Sequence, residues 1–120
     1  MSVIEKFEDI VCWQKGLVFT SELHKCIKSN SDFGFTSQIT RATYSITNNI
    51  AEGFERDSPK EFKRFLNIAK SSAAEVRSML YVGKEIGYFE TEVFETLRTR
   101  ILEITKLISG FIRYLENKII

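Results

Sequence analysis

Proline is almost missing from this chain. One in 120 residues leaves long stretches free of the residue that removes a helical hydrogen bond and clashes with the turn before it. Histidine is as scarce, with His24 standing alone. Di-iron sites in helical bundles need two Glu-x-x-His pairs and two more glutamates, but the residue three before His24 is Ser21. Two cysteines and one histidine also lack the spacing of a zinc site. No GxxxxGK[ST] or GxGxxG loop occurs to cradle phosphates. A Ser-His-Asp triad would depend on His24, which falls within the apolar stripe of the first helical segment and reads as a hydrogen-bonded core or interface histidine. The chain is therefore read as a non-enzyme without metal or cofactor.

Other absences narrow the setting. No apolar run approaches the roughly 18 to 20 residues of a membrane span. The start, Met1-Ser2-Val3-Ile4-Glu5-Lys6, lacks a basic region followed by an apolar stretch, so no signal peptide is visible and the expected location is cytoplasmic. Cys12 and Cys26 fall on one predicted helix, which separates their Cα atoms by about 21 Å. A disulfide tolerates no more than about 7 Å, so two reduced thiols are expected. Net charge is only +1, which argues against strong non-specific binding to nucleic acid.

Apolar residues recurring at intervals of three and four predict an all-α protein, a single domain spanning 1–120. Four helices are expected, at about 9–28, 36–54, 59–86 and 92–118. The cluster Ser29-Asn30-Ser31-Asp32-Phe33-Gly34 ends the first. Ser58-Pro59-Lys60-Glu61 opens the third, with Ser58 as cap, Pro59 at the first helical position and Glu61 completing a capping box. Gly87 closes it in a left-handed conformation, and Thr91 is read as the cap of the fourth. Short links between long helices favour an antiparallel up-down-up-down four-helix bundle.

The faces follow. Phe94, Leu97, Ile101, Ile104, Ile108, Phe111 and Leu115 make a heptad seam on the fourth helix. Phe62, Phe65, Leu66, Ala69, Ala73, Val76, Leu80 and Gly83 line the third. Phe35, Ile39, Ala42, Ile46, Ile50 and Gly53 line the second. The first helix carries a stripe of Ile10, Trp13, Leu17 and Ile27, which Cys12, Phe19, Leu23 and Cys26 widen to an arc of roughly 200°, about twice one buried face. Leu102 and Leu107 lie off the main seam of the fourth helix. Such excess apolar area marks contact with another chain. A homo-oligomer is expected, with Cys12, Phe19, Leu23, Cys26, Leu102 and Leu107 at its interface.

Three polar features stand out. Lys63, Lys70, Arg77 and Lys84 recur every seven residues, a nearly straight row about 31 Å long. Lys60 and Arg64 flank its start, and between Lys60 and Lys84 six basic residues face only Glu61 and Glu75. A row of this kind either follows a nucleic-acid backbone, releasing counterions, or is a solvated face with rim salt bridges that contribute little. Arg41 joins these cations as a candidate phosphate contact. On the second helix, Gln38, Arg41, Ser45, Asn48 or Asn49, and Glu52 share one face, with Arg41 and Glu52 as charge partners at its ends. They either read a ligand or bond neighbouring helices, and the absence of a catalytic residue beside them favours the structural role. The patch Ser71-Ser72-Ala73-Ala74 reads as close helix packing.

The run Gln38-Ile39-Thr40-Arg41-Ala42, Ser45-Ile46 and Asn49-Ile50-Ala51-Glu52-Gly53 resembles the signature QxxRAxxSIxxNIAEG. With Glu61-Phe62, Phe65-Leu66, Ala69, Ser72, Glu75, Gly87-Tyr88, Phe7-Glu8-Asp9 and Trp13-Gln14, the similarity spans nearly the whole chain. It is to small bacterial four-helix-bundle proteins. One branch is encoded by intervening sequences within large-subunit ribosomal RNA genes and was once labelled a ribosomal protein. The other is the accessory variability determinant of diversity-generating retroelements. The resemblance implies an antiparallel bundle assembled as a homopentamer around a central channel. For the retroelement branch it implies binding of template RNA and a reverse transcriptase through a strongly basic surface. A chain with pI about 7.7 departs from that surface, so the intervening-sequence branch fits better. Ser71 also departs from the pattern, where the family often has glycine.

Overall fold

The computed structural model describes residues 3–119. A 3-10 turn at Phe7–Asp9 precedes α1 (Val11–Ile27), α2 (Phe33–Phe54), α3 (Pro59–Glu85) and α4 (Thr91–Glu116). Each helix packs on its sequence neighbours, and α4 closes back on α1. The result is an all-α four-helix bundle measuring 48 × 22 × 21 Å. Cross-helix contacts fix the directions. Ser72 meets Ser45 and Gln38 meets Glu75, so numbers fall on α3 as they rise on α2. Lys63 meets Glu116 while Lys84 meets Phe94, so α3 and α4 are likewise antiparallel.

Caps set the helix limits. Ser58 Oγ accepts the Glu61 amide at 3.1 Å and Pro59 starts α3. The Glu61 carboxylate does not complete the expected box, since it pairs with Arg64 at 3.3 Å, and that bond holds it below the usual carboxylate range. α2 starts at Phe33, three residues before the expected limit, because Asp32 accepts the Phe35 amide at 3.1 Å. The Tyr88 hydroxyl also donates to Asp32, which lowers the carboxyl pKa and raises that of the phenol. The α3–α4 link is thereby tied to the start of α2. Gly87, at φ +87°, turns the chain out of α3, where a side chain would meet the left-handed penalty. Thr91 is not the cap of α4. It is the first helical residue, after Glu90.

The expected faces of α2 and α3 are buried residue for residue. On α4 the seam runs through Ile108, Ile112 and Leu115, all buried, while Phe111 is half-buried. A 3.6-residue helix drifts about 20° per heptad against a 3.5 repeat, and by the last turns that drift moves the core from Phe111 to its neighbour. Phe89, in the α3–α4 link, is also buried and lies over Gly83 and against Phe35.

α1 overturns the expected interface. Its core face is Cys12, Gly16, Phe19, Leu23 and Ile27, whereas Leu17 is 52% exposed and Trp13 half-buried. Cys12, Phe19 and Leu23 are at most 2% exposed in the single subunit, so they fill its own core and face no other chain. The arc of Cys12, Phe19 and Leu23, expected to extend the stripe, is the buried face itself. Cys26 is exposed, and Leu102 and Leu107 are half-buried. His24 is exposed as well, not a core histidine, and lies beside a small pocket between α1 and α2 with Leu17 and Tyr44.

The two thiols differ accordingly. Burial pushes Cys12 up to about 11, while Cys26 is exposed with its pKa raised by partial burial and by Glu22. The thiolate is the reacting form. Iodoacetamide at pH 8 is expected to label Cys26 alone in the native protein and both residues in denaturant, as read by peptide mass spectrometry. Equal native labelling of Cys12 would contradict its burial.

Candidate nucleic-acid interface

The basic row on α3 divides in two. At its ends, cations are held by α4: Lys63 Nζ lies 3.0 Å from Glu116 Oε2, and Lys84 Nζ sits 4.8 Å above the Phe94 ring. Arg64 turns back to Glu61 and stacks on Phe65 at 4.6 Å, a ring it shares with Arg56 at 4.8 Å. The middle is different. Lys70 is exposed and Arg77 half-buried. Among the described residues, no ion pair includes either of them. Lys60 is exposed beyond the N-terminal end.

Two cations on α4 lie outside the row expected from the sequence. Lys106 and Arg113 are both exposed and also unpaired among the described residues. They stand seven residues apart, the same interval as the α3 row. That interval could have revealed them. Arg113 lies one turn before Glu116, the residue that anchors Lys63, whereas Lys106 lines a pocket with Ile4, Asp9 and Val11, toward the start of α1. Arg98, on the same helix, is bound to Glu95 at 2.8 Å.

The signature residues of α2 gather elsewhere. Gln38, Arg41, Ala42 and Ser45 line one wall of an open groove of about 610 Å³, with Ser72 and Glu75 of α3 on the other. Ser72 Oγ donates to Ser45 Oγ at 2.7 Å, and Asn49 Nδ2 donates to that same oxygen at 2.9 Å and to the Ser45 carbonyl at 2.8 Å. Thus Asn49, not Asn48, belongs to the ladder. Gln38 Nε2 donates to Glu75 Oε2 at 3.4 Å. Arg41 and Glu52 do not pair as terminal charges: Arg41 donates to Ser37 Oγ at 3.2 Å and Glu52 binds Arg56 at 3.3 Å. Beyond the groove, at the α2–α3 link end, Gly53 marks the closest approach of the two helices: a Cβ there would stand 2.6 Å from Phe65 Cβ. Arg41 is therefore on the α2–α3 groove, apart from the unpaired cations of α3 and α4.

Bundle architecture, a polar α2–α3 seam and unpaired cations on α3 define a small helical bundle protein. Residues 8–110 match the family described as 23S rRNA-intervening sequence protein, and the chain belongs to that family. A protein of unknown function from the S23 ribosomal protein family of Bacteroides thetaiotaomicron has a similar solved structure. Its TM-score is 0.78 at 30% identity, covering 84% of this chain and 97% of that one. No protein of curated function matches. The retroelement side of the resemblance gains no support from these similarities. No helix among the described residues is long and apolar enough to cross a membrane.

Proposed function

We propose that this protein is a non-catalytic, cytoplasmic RNA-contacting member of its family that works as a homo-oligomer. The observation that carries the RNA reading is the division of the basic row. Lys63 and Lys84 are held by α4, while Lys70 and Arg77 between them have no ion-pair partner among the described residues. Arg113, one turn before Glu116, adds a further cation on α4 that is unpaired among the described residues. Cations released from internal partners are available to phosphates, whose neutralisation releases counterions. Assembly is supported by adjacent Leu17 and Val18 on the outer side of α1, 52% and 55% exposed, with Val11 at 50%. The family resemblance supports a pentamer as the form of that assembly.

RNA affinity measured against salt tests this. Steep weakening between 50 and 200 mM salt is expected. The pair Lys70→Glu and Arg77→Glu should flatten the log–log slope by about two, one per lost phosphate contact. No binding at low salt, or an unchanged slope in the variant, would defeat the RNA reading. The net charge of +1 favours a second reading in that event: an interaction scaffold, or an accessory subunit of a reverse transcriptase, whose cations meet acidic residues of the partner.

A further inference from the structure

Phe33 is the most exposed aromatic ring of the protein's described residues, at 81%. It stands at the first position of α2 and lines the mouth of the α2–α3 groove. Capping does not require it, since Asp32 performs that role, and the core does not use it. A large exposed apolar ring beside a groove of polar side chains is a surface suited to stacking.

The groove supplies the rest of a binding site. Arg41 donates to Ser37 Oγ, which brings its guanidinium back along the helix toward Phe33. Phe33 and Ser37 are one turn apart, about 6 Å of helical rise, a span comparable to that between a base and its own 5′-phosphate. Across the groove, Gln38 and Glu75 share one long bond of 3.4 Å at the weak end of hydrogen-bond geometry. A ligand edge can insert there without breaking a strong contact. Deeper in, Ser45 and Ser72 are already satisfied by each other, so they form a floor. The volume of about 610 Å³ lies within the range of small-ligand sites.

We infer that the α2–α3 groove is a nucleotide site in which the base stacks on Phe33, its polar edge meets Gln38 and Glu75, and its phosphate meets Arg41. Aromatic stacking with an adjacent arginine is how proteins hold unpaired nucleotides. The Glu75 carboxylate accepts from an exocyclic amine, as carboxylates do from cytosine. It disfavours uracil, which presents a carbonyl at that position. The ligand is either a free nucleotide or an unpaired residue of RNA. The second source rests on the RNA reading above, while the site chemistry does not.

The test is an NMR titration of the intact protein with cytidine, adenosine and uridine 5′-monophosphates, and with inorganic phosphate. The amides of residues 33–41 and 72–75 should shift saturably, with the cytidine and adenosine nucleotides ahead of uridine. Phe33→Ala should weaken binding roughly tenfold. Its ring is exposed, so the fold should survive, and unchanged dispersion of the remaining signals would show this. Glu75→Gln should erase the preference against uridine. No saturable shift with any nucleotide, equal shifts with phosphate alone, or full binding by Phe33→Ala would overturn the inference. Short RNAs identify the source. If affinity for a single strand falls in Phe33→Ala while duplex affinity holds, the nucleotide belongs to RNA. If only mononucleotides bind, it is a free metabolite. The Lys70→Glu and Arg77→Glu pair separates the two proposals, because it should flatten the salt dependence and leave the mononucleotide shifts in place.

Discussion

Phe19→Asp is expected to unfold the subunit, not merely to dissociate an assembly. Phe19 is 1% exposed within one chain. Truncating a core phenylalanine to alanine alone costs about 3–5 kcal/mol, and an unpaired carboxylate in the same place adds a desolvation penalty. Total stabilities of about 5–15 kcal/mol leave little after such a loss. Far-UV circular dichroism should show the helical signal lost at 25 °C. Leu17→Asp is the matched control, two positions away and 52% exposed. It should keep its helix content, and light scattering should report a smaller particle if the outer face of α1 joins subunits. A folded, monomeric Phe19→Asp protein would reverse this assignment and return the residue to an interface.

That pair of variants also isolates what the sequence could not resolve. On α2 and α3 one apolar stripe is much stronger than any other phase, and the buried faces were legible. α1 offers two overlapping stripes, and its true face includes Gly16 and Cys12, residues with little hydropathic weight. Phase then depends on where α2 and α4 stand, which is information from residues far along the chain. The same limit governs the charged surface. Spacing places Lys63, Lys70, Arg77 and Lys84 in a row, but the pairing of Lys63 with Glu116 depends on register between helices joined only at their far ends. The signature on α2 was legible as a shared face. Its opposite wall, Ser72 and Glu75, emerged only when α3 was laid alongside. Phe33 is hidden for a simpler reason: it falls in a cluster of turn-forming residues, whose composition marks a link and not a helix start.

Gly53→Ala should be among the most damaging single-atom additions available to the protein, and its effect bears directly on the groove. The new Cβ would stand 2.6 Å from Phe65 Cβ and 2.9 Å from Phe62 Cδ1. The first of these atoms is attached to the α3 backbone and cannot swing aside, so the helices must separate. Overpacking of this kind costs about 1–3 kcal/mol, a fall in Tm of roughly 4 to 12 °C for a domain of this size. Gly110→Ala makes the same chemical change in the interior of α4, where the Cβ meets only Arg113 Nη2, at 3.8 Å. It should raise Tm, because alanine is favoured over glycine by up to about 1 kcal/mol in a helix. Opposite signs for identical substitutions would locate the tight contact at the α2–α3 end. Since α2 carries Gln38, Arg41 and Ser45 while α3 carries Ser72 and Glu75, separating the helices at Gly53 should also stretch the serine pair. Weaker nucleotide-induced shifts in folded Gly53→Ala, with Gly110→Ala unaffected, would tie the width of that groove to the signature glycine.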